Sequence, residues 1–154
     1  MEIKETHELP LPVSQVWEAL NDPQVLEQAI PGCQELTQNS PTELAAVVKL
    51  KIGPVSATFK GEVELSELNP PYSYVISGSG TGGVAGGATG AARVLLEEIE
   101  DGAATRLSYE VDAAVTGKIA QLGSRLITST AKKLATAFFA NFIAVLVPPE
   151  ETEE

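Results

Sequence analysis

A single cysteine and a single histidine are all that this 154-residue chain has of soft metal ligands and disulfide partners. With only Cys33 and His7, a disulfide framework and a Cys/His zinc site are excluded within one chain, and no metal or other cofactor is expected. Cys33 follows the turn "IPG" and reads as a small buried residue rather than a nucleophile. His7 stands in an alternating segment near Glu5 and Glu8 and reads as a surface or edge-strand histidine. Aromatic residues are few, at 5%, and the net charge is −11. No basic patch is interleaved with aromatics, so nucleic acid is not an expected partner. No apolar run reaches the roughly 18 residues of a membrane span. The opening "MEIKETHEL" lacks a basic region followed by an apolar core, so no secretory signal is read and cytoplasmic residence is expected.

What the chain does have is ordinary globular composition, with 44% hydrophobic residues. Its length suits one domain, read as residues 1–147, with 148–154 as an acidic tail after Pro148-Pro149. "EIKETHEL" predicts a first strand. Val13, Val16, Trp17 and Leu20 then fall at helical spacing, with Pro12 suited to the first turn. Asp22-Pro23 is a cap followed by a proline at the first helical position, which opens a second short helix ended by "IPG". Alternation over 44–52, 55–65, 72–76, 93–99 and 107–115, broken by "GP", "NPP" and "EDGA", predicts about seven strands in an antiparallel sheet. From Lys118 to about Val145 the period becomes helical, with Ile119, Leu122, Leu126, Thr130, Leu134, Phe138 and Phe142 on one stripe.

Gly78, Gly80 and Gly83 form G-x-G-x-x-G, and Glu98 lies about where a ribose-binding acid would be expected. A dinucleotide fold then needs a helix, but Gly86, Gly87 and Gly90 would lie inside it, each costing about 1 kcal/mol relative to alanine. No Gly-Lys-Ser/Thr of a P-loop occurs. The glycines read better as strand residues stripped of side chains, either to shape a hollow or to let the long helix pack close.

Strand, two short helices, antiparallel strands and one long C-terminal helix together resemble the helix-grip fold of the START-like superfamily. This is an α+β fold in which a curved antiparallel sheet of about seven strands wraps the last helix. Trp17, Pro31-Gly32, Gly53-Pro54, Phe59-x-Gly61, Gly117, Leu122-Gly123 and Phe138-Phe139, in that order, are similar to the CoxG family of carbon monoxide dehydrogenase subunits over about residues 2–145. The resemblance implies a non-catalytic accessory protein that binds a hydrophobic small molecule, a lipid or quinone, and serves a molybdenum hydroxylase complex. It also implies membrane recruitment, here to the inner face of the membrane. Some members carry a further C-terminal hydrophobic segment, whereas this chain stops at "VPPEETEE", so permanent anchoring is not expected.

In such a fold a cavity lies between sheet and helix. Its candidate walls are Trp17, Leu26 and Ile30 from the short helices, Val48, Phe59, Tyr74, Ile76 and Tyr109 from strands, and Leu122, Leu126 and Phe138 from the long helix. The same residues would also make a filled core. Tyr74 and Tyr109 are the better ligand contacts, because a buried phenol wants a hydrogen-bond partner. Residues 117–149 hold no acid but four cations, Lys118, Arg125, Lys132 and Lys133, leaving −15 for the rest of the chain. Lys118, Arg125 and Lys132 are seven apart and would share a helix face suited to an anionic membrane surface, or simply to water. Glu97-Glu98 would point to opposite faces of a strand, and no acid–base pair is evident. A small cyclase or isomerase of the same superfold and a filled interaction module remain alternatives, and a homodimer stays open.

Overall fold

The structure is a computed structural model and describes residues 1–147; Pro148-Pro149 and the acidic tail lie outside the described residues. β1 (Glu2–Leu9) alternates, with Ile3 and Leu9 buried, Glu5 and His7 half-buried on the same face, and the residues between them exposed. α1 (Val13–Leu20) starts directly after Pro12, which takes the N-cap position with φ −63° rather than a place in the first turn. Its Val13, Val16, Ala19 and Leu20 are buried. α2 (Pro23–Ala29) is capped by Asp22, whose side chain accepts from the Gln24 N–H at 2.9 Å, with Pro23 at the first helical position.

Six strands follow: β2 (Cys33–Ser40), β3 (Glu43–Ile52), β4 (Val55–Asn69), β5 (Ser73–Thr81), β6 (Gly87–Ile99) and β7 (Ala104–Thr116). They pair with β1 in one antiparallel seven-stranded sheet of order β1-β7-β6-β5-β4-β3-β2. Consecutive hairpins build the sheet from β2 to β7, and β1 closes against the last strand. α3 (Ser124–Leu146) then runs back across one face. Its start lies beside the β3–β4 turn, where a Cβ on Gly53 would meet Leu126 Cδ2. Further along, Phe139 packs on His7 of β1, with ring centroids 4.4 Å apart. Asn141 Nδ2 donates to the Ala29 carbonyl at 3.1 Å and ties α3 to the end of α2.

Three expectations need correction. The seventh strand is β2, on the edge of the sheet, and Cys33 is its first residue: half-buried rather than buried, with its thiol donating to the Glu35 carbonyl at 3.4 Å. Burial first, and the charge of Glu27 second, push that thiol up, which argues against a nucleophile. The last helix is shorter than its periodicity: residues 119–122 form a tight 3₁₀ turn, and Gly123 at φ +93° takes the left-handed side before α3 begins. Its 23 residues span about 35 Å. Lys118 therefore lies before the helix and does not share a helical face with Arg125 and Lys132.

The G-x-G-x-x-G lies on β5 and the turn after it, leading into an antiparallel strand rather than a helix. That arrangement has no helix N-terminus to hold a pyrophosphate. On the inner face Val63 pairs with Gly78, and Gly78 with Gly90. A Cβ on Gly78 would lie 2.6 Å from the Glu62 carbonyl oxygen and from Val63 Cγ1; one on Gly90 would lie 2.8 Å from the Asp112 oxygen. These nearest atoms belong to neighbouring strands, not to α3. The glycines allow the strands to crowd and the sheet to curl.

Candidate functional site

Apolar side chains on alternating inner positions of β3 to β7 face α2 and α3 without closing on them. A cavity of about 570 Å³ remains, comparable with the smaller ligand pockets of proteins. Its sheet wall includes Leu44, Val48, Leu50, Phe59, Val63 and Ile76. Small residues keep it open: Ala46, Gly61 and Ala92 line it on three strands. One end is sealed by the main core cluster, where Leu9, Val16, Leu107 and Phe142 are almost wholly buried.

Of the sequence-derived wall residues, Leu26, Ile30, Val48, Phe59, Tyr74, Ile76, Tyr109 and Phe138 line this space. Trp17 stands behind it, edge-on to Tyr74 with ring centroids 5.3 Å apart. Leu122 and Leu126 lie at the β3–β4 turn, beside Gly53, and are not part of the lining. The lining also takes in Leu20, Leu36, Leu134, Ala135 and Phe139, which sequence pattern alone does not place in the wall. Leu134 does fall on the helical stripe; Phe139 adjoins Phe138 and turns inward with it.

Tyr74 is 3% exposed, and its hydroxyl has no hydrogen-bond partner among the described residues. Burial pushes its phenol above the ordinary value. Tyr109 donates its hydroxyl proton to Glu5 Oε1 at 2.6 Å. Burial first, then that hydrogen bond and the Glu5 charge, push the Tyr109 phenol up as well. Glu5 and Tyr109 are direct cross-strand partners, and His7 follows two residues on along the same face. His7 is therefore an edge-strand residue turned inward rather than to the surface. Its ring lies nearly parallel to Tyr109 (10° between planes) and against Phe139, and its Nε2 is buried, 3.5 Å from Glu5 Oε1, with no hydrogen-bond partner among the described residues. The signal for this orientation is present in the sequence: Glu5 and His7 share the parity of Ile3 and Leu9.

The cations divide sharply. Lys4, Arg93 and Arg106 are in ion pairs with Glu110, Glu67, Glu8 and Glu97. Lys118, Arg125, Lys132 and Lys133 are exposed and have no ion pair among the described residues, and the same holds for Lys49, Lys51 and Lys60. The β3–β4 turn, the β5–β6 loop and the link from β7 to α3 lie at one end of the sheet. A Cβ on Gly82 would meet the Phe59 ring, and one on Gly86 the Thr116 carbonyl. Segments 47–60, 77–92 and 113–133 at this end carry those seven cations and no acid. Val84, on the β5–β6 loop, is 85% exposed. Among the described residues no helix is long and apolar enough to cross a membrane.

A curled antiparallel sheet that holds a long final helix across its hollow face defines the helix-grip, START-like class. Solved structures agree. A START superfamily protein from Mycobacterium smegmatis matches with a TM-score of 0.68 at 12% identity, over 94% of this chain and 95% of that one. An aromatase/cyclase, ZhuI, from Streptomyces sp. R1128 matches with a TM-score of 0.65 at 14% identity, over 94% and 92%. A conserved protein from Geobacillus kaustophilus is nearer, with a TM-score of 0.89 at 29% identity over 95% of each chain. No curated protein matches the sequence. The sequence profile of the carbon monoxide dehydrogenase subunit CoxG matches residues 7–147. The chain belongs to the CoxG family.

Proposed function

We propose that this protein is a non-catalytic accessory protein that carries a hydrophobic molecule, a lipid or quinone, for a molybdenum hydroxylase of the carbon monoxide dehydrogenase type. The observation that carries the reading is the cavity of about 570 Å³, walled by aliphatic and aromatic side chains around Ala46, Gly61 and Ala92. Such a space favours apolar ligands because burying their surface is worth about 25 cal/mol per Å². Candidate contacts are Leu26, Ile30, Val48, Phe59, Tyr74, Ile76, Tyr109 and Phe138. Trp17 supports Tyr74 from behind, and Leu122 and Leu126 support the β3–β4 turn. Family membership supports the choice of partner enzyme.

The three acid-free segments at one end of the sheet, with Lys118, Arg125, Lys132, Lys133 and exposed Val84, fit a peripheral contact with an anionic membrane surface, from which an apolar cargo would be drawn. Native mass spectrometry after gentle extraction tests the carrier reading. A co-purified lipid or quinone released on denaturation is the expected result; a bare chain that also fails to take up added lipid or quinone contradicts it. A cyclase- or isomerase-type enzyme is the second reading, favoured by one observation: the cavity-wall phenol of Tyr109 is hydrogen-bonded to an acid behind it, Glu5. Turnover of a cyclisable ketone lost in Glu5→Gln would favour it.

A further inference from the structure

Tyr109, backed by Glu5 and His7, is one of two tyrosines on the otherwise apolar wall, and the carrier reading gives its hydroxyl no task. Tyr109 is the member that faces the cavity; Glu5 and His7 stand behind it on the edge strand β1. A phenol has one proton to give and lone pairs to accept with. The proton of Tyr109 is committed to Glu5 at 2.6 Å. A carboxylate accepts only, so Glu5 cannot return a proton, and it holds the phenol hydrogen away from the cavity. His7 fixes the arrangement. It stacks on the Tyr109 ring on one side, meets Phe139 of α3 on the other, and has its Nε2 beside Glu5. The phenolic oxygen is thereby left toward the ligand as an acceptor, strengthened by the polarisation of its O–H.

We infer that Tyr109, oriented by Glu5, is a hydroxyl-selective subsite: it accepts a hydrogen bond from the hydroxyl of an otherwise apolar ligand and disfavours the corresponding carbonyl. This rests on the cavity being the ligand site and names what that ligand carries: of the proposed cargoes, a lipid hydroxyl or the reduced, quinol form of a quinone suits the subsite, and the quinone form does not. A carbonyl placed there would set lone pair against lone pair and leave a buried acceptor unpaired, which is costly. Glu5 and His7 are positioning residues, since neither lines the cavity. Tyr74 is the internal control: its hydroxyl proton is unspent, so it serves a carbonyl as readily as a hydroxyl. Through the register Tyr74–Val94–Tyr109 it lies two strands away, about 10 Å.

The test uses 1-tetralol and 1-tetralone, an alcohol and ketone of nearly the same shape, with affinities measured by calorimetry on the full chain. The wild type should prefer the alcohol about 10-fold. Tyr109→Phe should abolish the preference, weakening the alcohol and relieving the penalty on the ketone. Glu5→Leu frees the phenol proton to turn into the cavity, so the preference should fall to parity or invert. Tyr74→Phe should leave it unchanged. Equal affinity in the wild type, or a preference for the ketone, would overturn the inference while leaving the cavity reading intact. So would a preference that survives Tyr109→Phe and disappears in Tyr74→Phe. Binding of neither compound would overturn the cavity reading and the inference with it.

Discussion

Thr105 is a fully buried polar residue, and its hydroxyl donates to the Leu11 carbonyl at 2.7 Å, joining β7 to the turn before α1. Thr105→Val keeps the shape but leaves that carbonyl unpaired, and should cost about 1–3 kcal/mol in urea unfolding. Gly78→Val would press a side chain into the neighbouring strand backbone, and should cost about the same by that measurement. The tyrosines give a pH dependence with a definite sign. The folded pKa values of Tyr74 and Tyr109 are raised above the ordinary 10.0, so the folded state holds protons that the unfolded chain gives up first. The stabilisation is present below about pH 10 and declines as pH rises above it, which a series of urea midpoints at alkaline pH should record. At this scale the polar cluster was legible only in part. Parity along β1 puts Glu5 and His7 beside Ile3 and Leu9, but two polar residues in a strand at the sheet edge read equally well as solvent-facing. Packing against Phe139, far along the chain, is what turns His7 inward.

The strands with clean alternation, β3, β4 and β7, were legible because a half-buried strand has a period of two. β2 was not: "CQELTQNS" offers only Leu36 as a large apolar residue, and its position on the sheet edge asks little burial of it. The break at Gly123 was hidden because the apolar stripe continues in phase through the 3₁₀ turn, with Ile119 buried and Leu122 half-buried. The consequence is functional. Arg125, Lys132 and Lys133 belong to α3, while Lys118 belongs to the rim of the sheet, so the cations gather at one end of the molecule rather than along one helix face. Replacing Lys132 and Lys133 together by alanine should weaken binding to vesicles containing anionic lipid roughly 30-fold at low salt, at about 1 kcal/mol per cation. Sedimentation with vesicles checks this, and raising the salt should weaken the wild type in the same direction.

For the whole molecule, the antiparallel strands and the long final helix followed from the sequence pattern, because binary patterning acts locally; the curl of the sheet and its clasp on the helix were implied by the resemblance to the helix-grip fold, since the glycines alone suited a hollow or a close-packed helix. Whether the interior is full or hollow did not. Val48, Phe59, Ile76 and Phe138 are equally suitable for a packed core, and only their separation in space distinguishes a wall from a filling. A carrier function therefore depends on the space itself being where a ligand goes. Ala46 and Ala92 are the positions at which that space can be removed without touching the core cluster. The most direct test is uptake of the apolar fluorescent probe N-phenyl-1-naphthylamine by delipidated protein, wild type against Ala46→Leu/Ala92→Leu. The wild type should bind one equivalent, and the double variant should bind at least about 10-fold more weakly while unfolding at no lower urea concentration. Equal uptake by both proteins, or none by the wild type, would contradict a carrier function.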